Sequence, residues 1–158
     1  MKAALNITKE NIEGIVKDLD SSKYFLLDNS NASRAELFNF ALALGLKEGK
    51  PTPLSTSVSF IRTSYIENIL YQYKSVFYDK ELSKHPSDID EITDTDKALF
   101  LAEQYANTGF GILAKMKKEY PDEKHFMTKL LNELEREYKN YKENNTETDY
   151  QEIINNKQ

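Results

Sequence analysis

At 158 residues the chain is long enough for one domain with a core of its own, and the absence of cysteine excludes disulfides, zinc-thiolate centres and cysteine nucleophiles. A formal charge of −5 argues against a protein that coats a polyanion. No apolar run approaches the roughly 20 residues that cross a bilayer and the N-terminus lacks a signal-peptide core, which together predict a cytoplasmic protein.

Residues 2–7 alternate as a short strand, with Ala3, Leu5 and Ile7 on one face and Lys2, Ala4 and Asn6 on the other. Thr8 is placed to cap a helix running to about Leu19, with Ile12, Ile15, Val16 and Leu19 as its apolar stripe. Gly14 inside that helix costs about 1 kcal/mol relative to alanine, so the helix needs tertiary support. Residues 20–32 form a polar connection interrupted by Tyr24-Phe25-Leu26-Leu27, a run expected to be buried.

The segment from Ser33 to Gly45 opens with a capping box of Ser33 and Glu36 and closes on Gly45, the residue suited to the left-handed position after a last turn. Leu37, Phe40, Ala41 and Leu44 make one apolar row, and Phe38 and Leu42 a second. A helix apolar on two sides is expected between two partners. Lys47 to Ser59 then reads as a loop containing Pro51 and Pro53.

Ile66, Ile69, Leu70, Tyr73 and Phe77 predict a helix from near Ser64 to Phe77, followed by an acidic connection over 79–94. A further helix begins near Thr95, with Leu99, Ala102 and Ala106 on its inner face. At Gly109 and Gly111 it either ends, kinks or lets a neighbouring backbone approach. Pro121 suits the first position of the last helix, with Asp122 and Glu123 at its positive end. In that helix Met127, Leu131, Leu134, Tyr138 and Tyr141 form a heptad seam of about two repeats, below the three or four that mark a coiled coil from sequence. From Glu143 the chain turns polar and Asn-rich, which predicts a frayed tail over 144–158.

Three motifs invite a chemical reading, and each has a simpler one. Gly45-Leu46-Lys47-Glu48-Gly49-Lys50 has three residues between its glycines where a phosphate-binding loop has four, and Pro51 where a magnesium-binding hydroxyl belongs; it reads as a helix end and turn. Asp88, Asp90, Glu91, Asp94 and Asp96 lack the spacing of a calcium loop and read as a solvated approach to a helix N-terminus. His85 and His125 stand 40 residues apart, neither with a partner at metal-ligand spacing. These observations point to no catalytic residues, no metal and no cofactor.

The order of strand 2–7, Thr8-capped helix and helix opened by Ser33-Arg34 resembles the ribbon-helix-helix family of dimeric DNA-binding proteins. That resemblance implies strands paired across a dimer and entering the major groove. It also implies that Lys2 and Asn6 face the groove while Arg34 meets a phosphate at the start of the second helix. Residues 1–50 carry seven basic and seven acidic side chains while 51–158 carry 14 against 19, so any nucleic-acid contact is expected in the neutral first third. The same order also describes an ordinary intramolecular strand-helix-helix unit.

A second resemblance covers residues 33–115. Phe40-Ala41-Leu42-Ala43-Leu44-Gly45, Gly49-Lys50, Pro53-Leu54 and Phe60-Ile61-Arg62 resemble, in order, the core of a family of accessory proteins of bacterial DNA phosphorothioation (Dnd-type) systems. Ala102-Glu103-Gln104-Tyr105-Ala106-Asn107-Thr108-Gly109-Phe110-Gly111-Ile112-Leu113 resembles that family's Tyr-Ala-Asn-x-Gly signature. The resemblance implies a role in foreign-DNA defence and carries no catalytic residues. On their own chemistry, Tyr105, Ala106, Gly109 and Phe110 read as a tight helix-packing corner, with Arg62 placed to pair with an acidic side chain there.

The resulting expectation is a mainly α-helical domain over 1–143, with a strand-helix-helix unit at 1–46, a helical bundle portion at 60–143 and about five helices in all. Its expected role is a non-catalytic accessory of a DNA modification or defence system, acting through protein partners or double-stranded DNA as a homodimer formed through the first third or the terminal heptad seam. A ribbon-helix-helix-like transcriptional regulator is the alternative.

Overall fold

A computed structural model describes residues 2–20, 31–80 and 94–155. It is mainly helical, with two strands and five helices in the described residues. These are β1 (Ala4–Thr8), α1 (9–20), α2 (Asn31–Glu48), β2 (Ser57–Arg62), α3 (Leu70–Lys80), α4 (Thr95–Glu119) and α5 (Glu123–Asn155). Short 3-10 turns at Thr63–Tyr65 and Glu67–Ile69 lead into α3, so the α-helix starts later than Ser64 and runs past Phe77. The chain forms two compact units, residues 1–119 and 120–158.

Within the first unit α4 is the central element, packed by α2, α3, β1 and α1. Its Leu99, Ala102, Ala106, Phe110 and Leu113 are fully buried, and Leu101 and Tyr105 on flanking rows are nearly so. Gly109 and Gly111 neither end nor interrupt it. Both expected rows of α2 face inward, with Leu37 and Ala41 of the first and Phe38 and Leu42 of the second buried, while Phe40 and Leu44 of the first are half-buried. Its caps differ from expectation. The helix begins at Asn31, which places Ser33 inside the first turn, and it runs through Gly45 to Glu48. The glycine in the left-handed region is Gly49, at φ 77°, whose N–H is donated to the Gly45 and Leu46 carbonyls at 3.1 Å.

Gly45 serves a different purpose. A Cβ on Gly45 would stand 2.7 Å from the Tyr105 carbonyl carbon, and one on Gly109 would stand 2.9 Å from the Ala41 Cα. The two glycines therefore let the α2 and α4 backbones touch, a reciprocal close approach that any side chain would wedge apart.

The sheet is antiparallel and two-stranded, and its second strand lies where the sequence suggests a loop. Leu5 pairs with Ile61 and Asn6 with Ser59, leaving Phe60 as the extra residue of a bulge. The bulge turns both Phe60 and Ile61 inward, a pattern that breaks the two-residue period by which a strand is recognised. Leu5 and Ile7 are fully buried as expected, whereas Ala3 precedes the strand and is exposed.

Thr8 caps α1 as predicted, its Oγ1 accepting the Asn11 N–H at 3.4 Å. The middle of α1 is a π-helical turn, Ile12–Val16, which re-aims the stripe so that Ile15, Val16 and Leu19 are buried. The tyrosine of α3 closest to the core, Tyr73, donates its hydroxyl to Asn39 at 2.6 Å and meets Phe38 edge-on at 6.3 Å; burial pushes its pKa up to about 12.

In the second unit α5 begins at Glu123, so Pro121 precedes the helix instead of filling its first position, and Asp122 is the cap, accepting the His125 N–H at 3.0 Å. That bond is the main reason its carboxyl sits below the usual range. The α5 backbone stays helical to Asn155, past the point where a frayed tail is expected; extending an existing helix is far cheaper than nucleating one. The run Tyr24–Leu27, His85 and Pro86, and the acidic residues Asp88, Asp90 and Glu91 lie outside the described residues.

Candidate functional site

Of the three residues expected to touch nucleic acid, Lys2 and Arg34 turn their side chains to carboxylates of their own chain, and Asn6 is held there through its backbone. Lys2 reaches across the strand to α4, its Nζ 2.6 and 2.7 Å from the two carboxylate oxygens of Glu103. Asn6 donates its backbone N–H to Glu103 Oε1 at 2.6 Å. Arg34 pairs with Asp20 at 2.8 Å and lies over the Phe60 ring, 5.1 Å from its centroid. Phe60 in turn meets Phe110 edge-on at 5.8 Å, so Arg34 ties the end of α1, the start of α2 and β2 to the face of α4. The β1 ladder is likewise intramolecular, where the ribbon-helix-helix resemblance implies pairing across a dimer.

Sequence reasoning missed the two polar residues that organise this face. Glu103 is 1% exposed in the middle of α4 and accepts from both Lys2 and Asn6. Burial pushes its pKa up, and the Lys2 and Asn6 hydrogen bonds pull it back only in part. One turn on, Asn107 is a four-way junction. Its Oδ1 accepts from Asn11 Nδ2 at 2.7 Å and Thr8 Oγ1 at 3.2 Å, while its Nδ2 donates to the Thr52 and Pro53 carbonyls at 3.2 Å. Thr108 adds bonds to the Lys50 carbonyl and Thr52 Oγ1 at 2.8 Å, and the Thr52 N–H returns to the Gln104 carbonyl at 3.2 Å. The loop after α2 is thereby laid along α4. The only available signal was the presence of Glu and Asn on an otherwise apolar helix face, where a polar side chain must find partners.

Arg62 is exposed and makes no ion pair among the described residues, because Lys2 already holds the acidic group of that corner. Asp94 caps α4 by accepting the Asp96 and Lys97 N–H groups at 3.0 and 3.2 Å, and Asp96 accepts the Lys2 N–H at 2.5 Å. Among the described residues no cluster of three His, Cys, Asp or Glu could hold a metal, and no helix is long and apolar enough to cross a membrane.

The chain matches no protein-family model, no curated protein and no solved structure.

The raised pKa of Glu103 fixes the sign of one pH effect. In the window between the ordinary carboxylate value and its raised folded value, the folded state binds the proton more tightly than the unfolded state. Its contribution is present below the ordinary value and is lost as pH rises through the folded one. Wild type is therefore expected to gain stability relative to Glu103→Gln as the pH falls from about 7 to about 4, read by urea denaturation at each pH. A gap moving the other way would mean that the Lys2 pair outweighs burial.

Proposed function

We propose that this chain is a cytoplasmic, non-catalytic accessory protein of a prokaryotic DNA modification or defence system of the phosphorothioation type, working chiefly through protein partners. The observation that carries the reading is the convergence of the segments that hold the resemblance. Phe40–Gly45 on α2 meets Tyr105–Gly109 on α4 through the paired glycines, and the Gly49–Pro53 loop is bonded to Asn107 and Thr108. Residues scattered over 70 positions thus act as one packing unit, as expected of a signature that specifies a fold. The pairing of Lys2 with Glu103 and of Arg34 with Asp20 favours protein contacts over a phosphate backbone, since both cations already have carboxylate partners.

The test combines two measurements. Anisotropy of labelled duplex DNA, plain and phosphorothioated, is expected to show no micromolar binding at about 50 mM salt. The tagged chain, co-expressed with the modification and restriction proteins of a phosphorothioation system, is expected to retain one of them through purification. Tight, steeply salt-dependent DNA binding that weakens in folded Lys2→Ala and Arg34→Ala proteins would replace this reading with direct DNA recognition.

A further inference from the structure

We propose that α5 joins two copies of this chain as a parallel, in-register coiled coil along residues 127–141, an inference independent of any DNA-related role. The helix is 33 residues long, about 50 Å at 1.5 Å per residue. Four of the large hydrophobic side chains exposed in the described residues lie on one of its faces: Leu131, Leu134, Tyr138 and Tyr141, at 57, 39, 58 and 67% exposure. Together with half-buried Met127 they alternate four and three apart, which puts Leu131 and Tyr138 at a and Met127, Leu134 and Tyr141 at d.

The charges beside the seam identify what covers it. With Leu131 at a, Glu135 and Lys142 occupy e and Glu137 occupies g. In a parallel pair each g position faces the following e of the other helix, so Glu137 of each copy meets Lys142 of the other, twice by symmetry. The Lys142 ammonium already flanks the seam, 5.2 Å from the Tyr138 ring centroid. An antiparallel pair that keeps the same apolar layers sets Leu131 opposite Tyr141 and brings e against e and g against g. Glu135 then meets Glu135 and Glu137 meets Glu137, four like charges where the parallel pair has two attractions. Glu135 pairs with Lys139 at 3.0 Å and Glu137 lies 3.7 Å from Arg136 within the helix, so the flanking charges select orientation while the apolar seam supplies affinity. The face is complementary to itself, and only in one direction.

Sedimentation velocity on the full chain from about 1 to about 200 µM is expected to show a monomer–dimer equilibrium, lost in Tyr138→Glu while the circular dichroism of the remaining fold is kept. Glu137→Lys should weaken the dimer about five- to tenfold, and Glu137→Lys combined with Lys142→Glu should restore it. Because the chain has no cysteine, Leu131→Cys alone reports direction. A parallel pair brings the two thiols together and gives a disulfide dimer on mild oxidation; an antiparallel pair holds them ten residues apart along the helices. A monomer at every concentration, a dimer indifferent to Tyr138→Glu, or a dimer that Leu131→Cys does not cross-link would each overturn the proposal.

Discussion

Gly109→Ala is expected to destabilise the protein by about 3 kcal/mol or more, whereas Gly111→Ala, two positions along the same helix, is expected to stabilise it by up to about 1 kcal/mol. The added methyl is identical and the surroundings decide the sign. At Gly109 it would collide with the Ala41 backbone, which cannot rotate away, so α2 and α4 must separate and forfeit the packing along both helices. At Gly111 nothing lies within 4 Å, and the gain is the smaller conformational entropy lost by alanine on entering a helix. Urea denaturation of the two variants measures both effects. Gly45→Ala should behave like Gly109→Ala, and the double variant should cost less than the sum, because the first separation makes room for the second methyl. A cost below about 1 kcal/mol at Gly109 would mean that the helices are less intimately packed than described.

Asn107 is expected to show the second large effect. Asn107→Ala removes four hydrogen bonds from a buried junction and leaves the Thr52 and Pro53 carbonyls and the Asn11 amide to find other partners, at about 2–3 kcal/mol. Asn107→Asp keeps the acceptor for Asn11 and Thr8 yet should cost more at neutral pH, since it sets a carboxylate oxygen against two carbonyls that need a donor. That excess should shrink on acidification, when the carboxyl regains a proton to donate. Denaturation midpoints at two pH values separate the two contributions. Limited proteolysis of residues 49–56 should accelerate in both variants, because the loop then loses its anchor on α4.

Features set by local chemistry are readable in this sequence. Thr8 before an apolar stripe announces a capped helix, Leu5 and Ile7 announce an inward strand face, and Gly109 within a helical pattern announces a close approach. Features that depend on distant partners are not. Gly45 has the composition of a helix terminus, and only the position of Tyr105, 60 residues away, makes it an interior packing position. Ser57–Arg62 hides as a strand because three exposed residues precede two consecutive buried ones across the bulge. Lys2 and Arg34 look like free cations in a neutral segment, yet their partners Glu103 and Asp20 are charges that no short spacing connects to them. The candidate site is less legible than the fold for this reason: a basic residue seeking phosphate and one holding a carboxylate are the same letter.

The contacts of β1 also set an order of events during synthesis. Its strand partner lies at 57–62, and Lys2 and Asn6 bind Glu103, 101 and 97 residues later. β1 therefore leaves the ribosome well before its partners and is among the last elements to find its place. At about 5–20 residues per second it waits roughly 5–20 s for α4 to emerge. Until then Leu5 and Ile7 are an uncovered apolar edge, open to chaperones and to other nascent copies of the same strand.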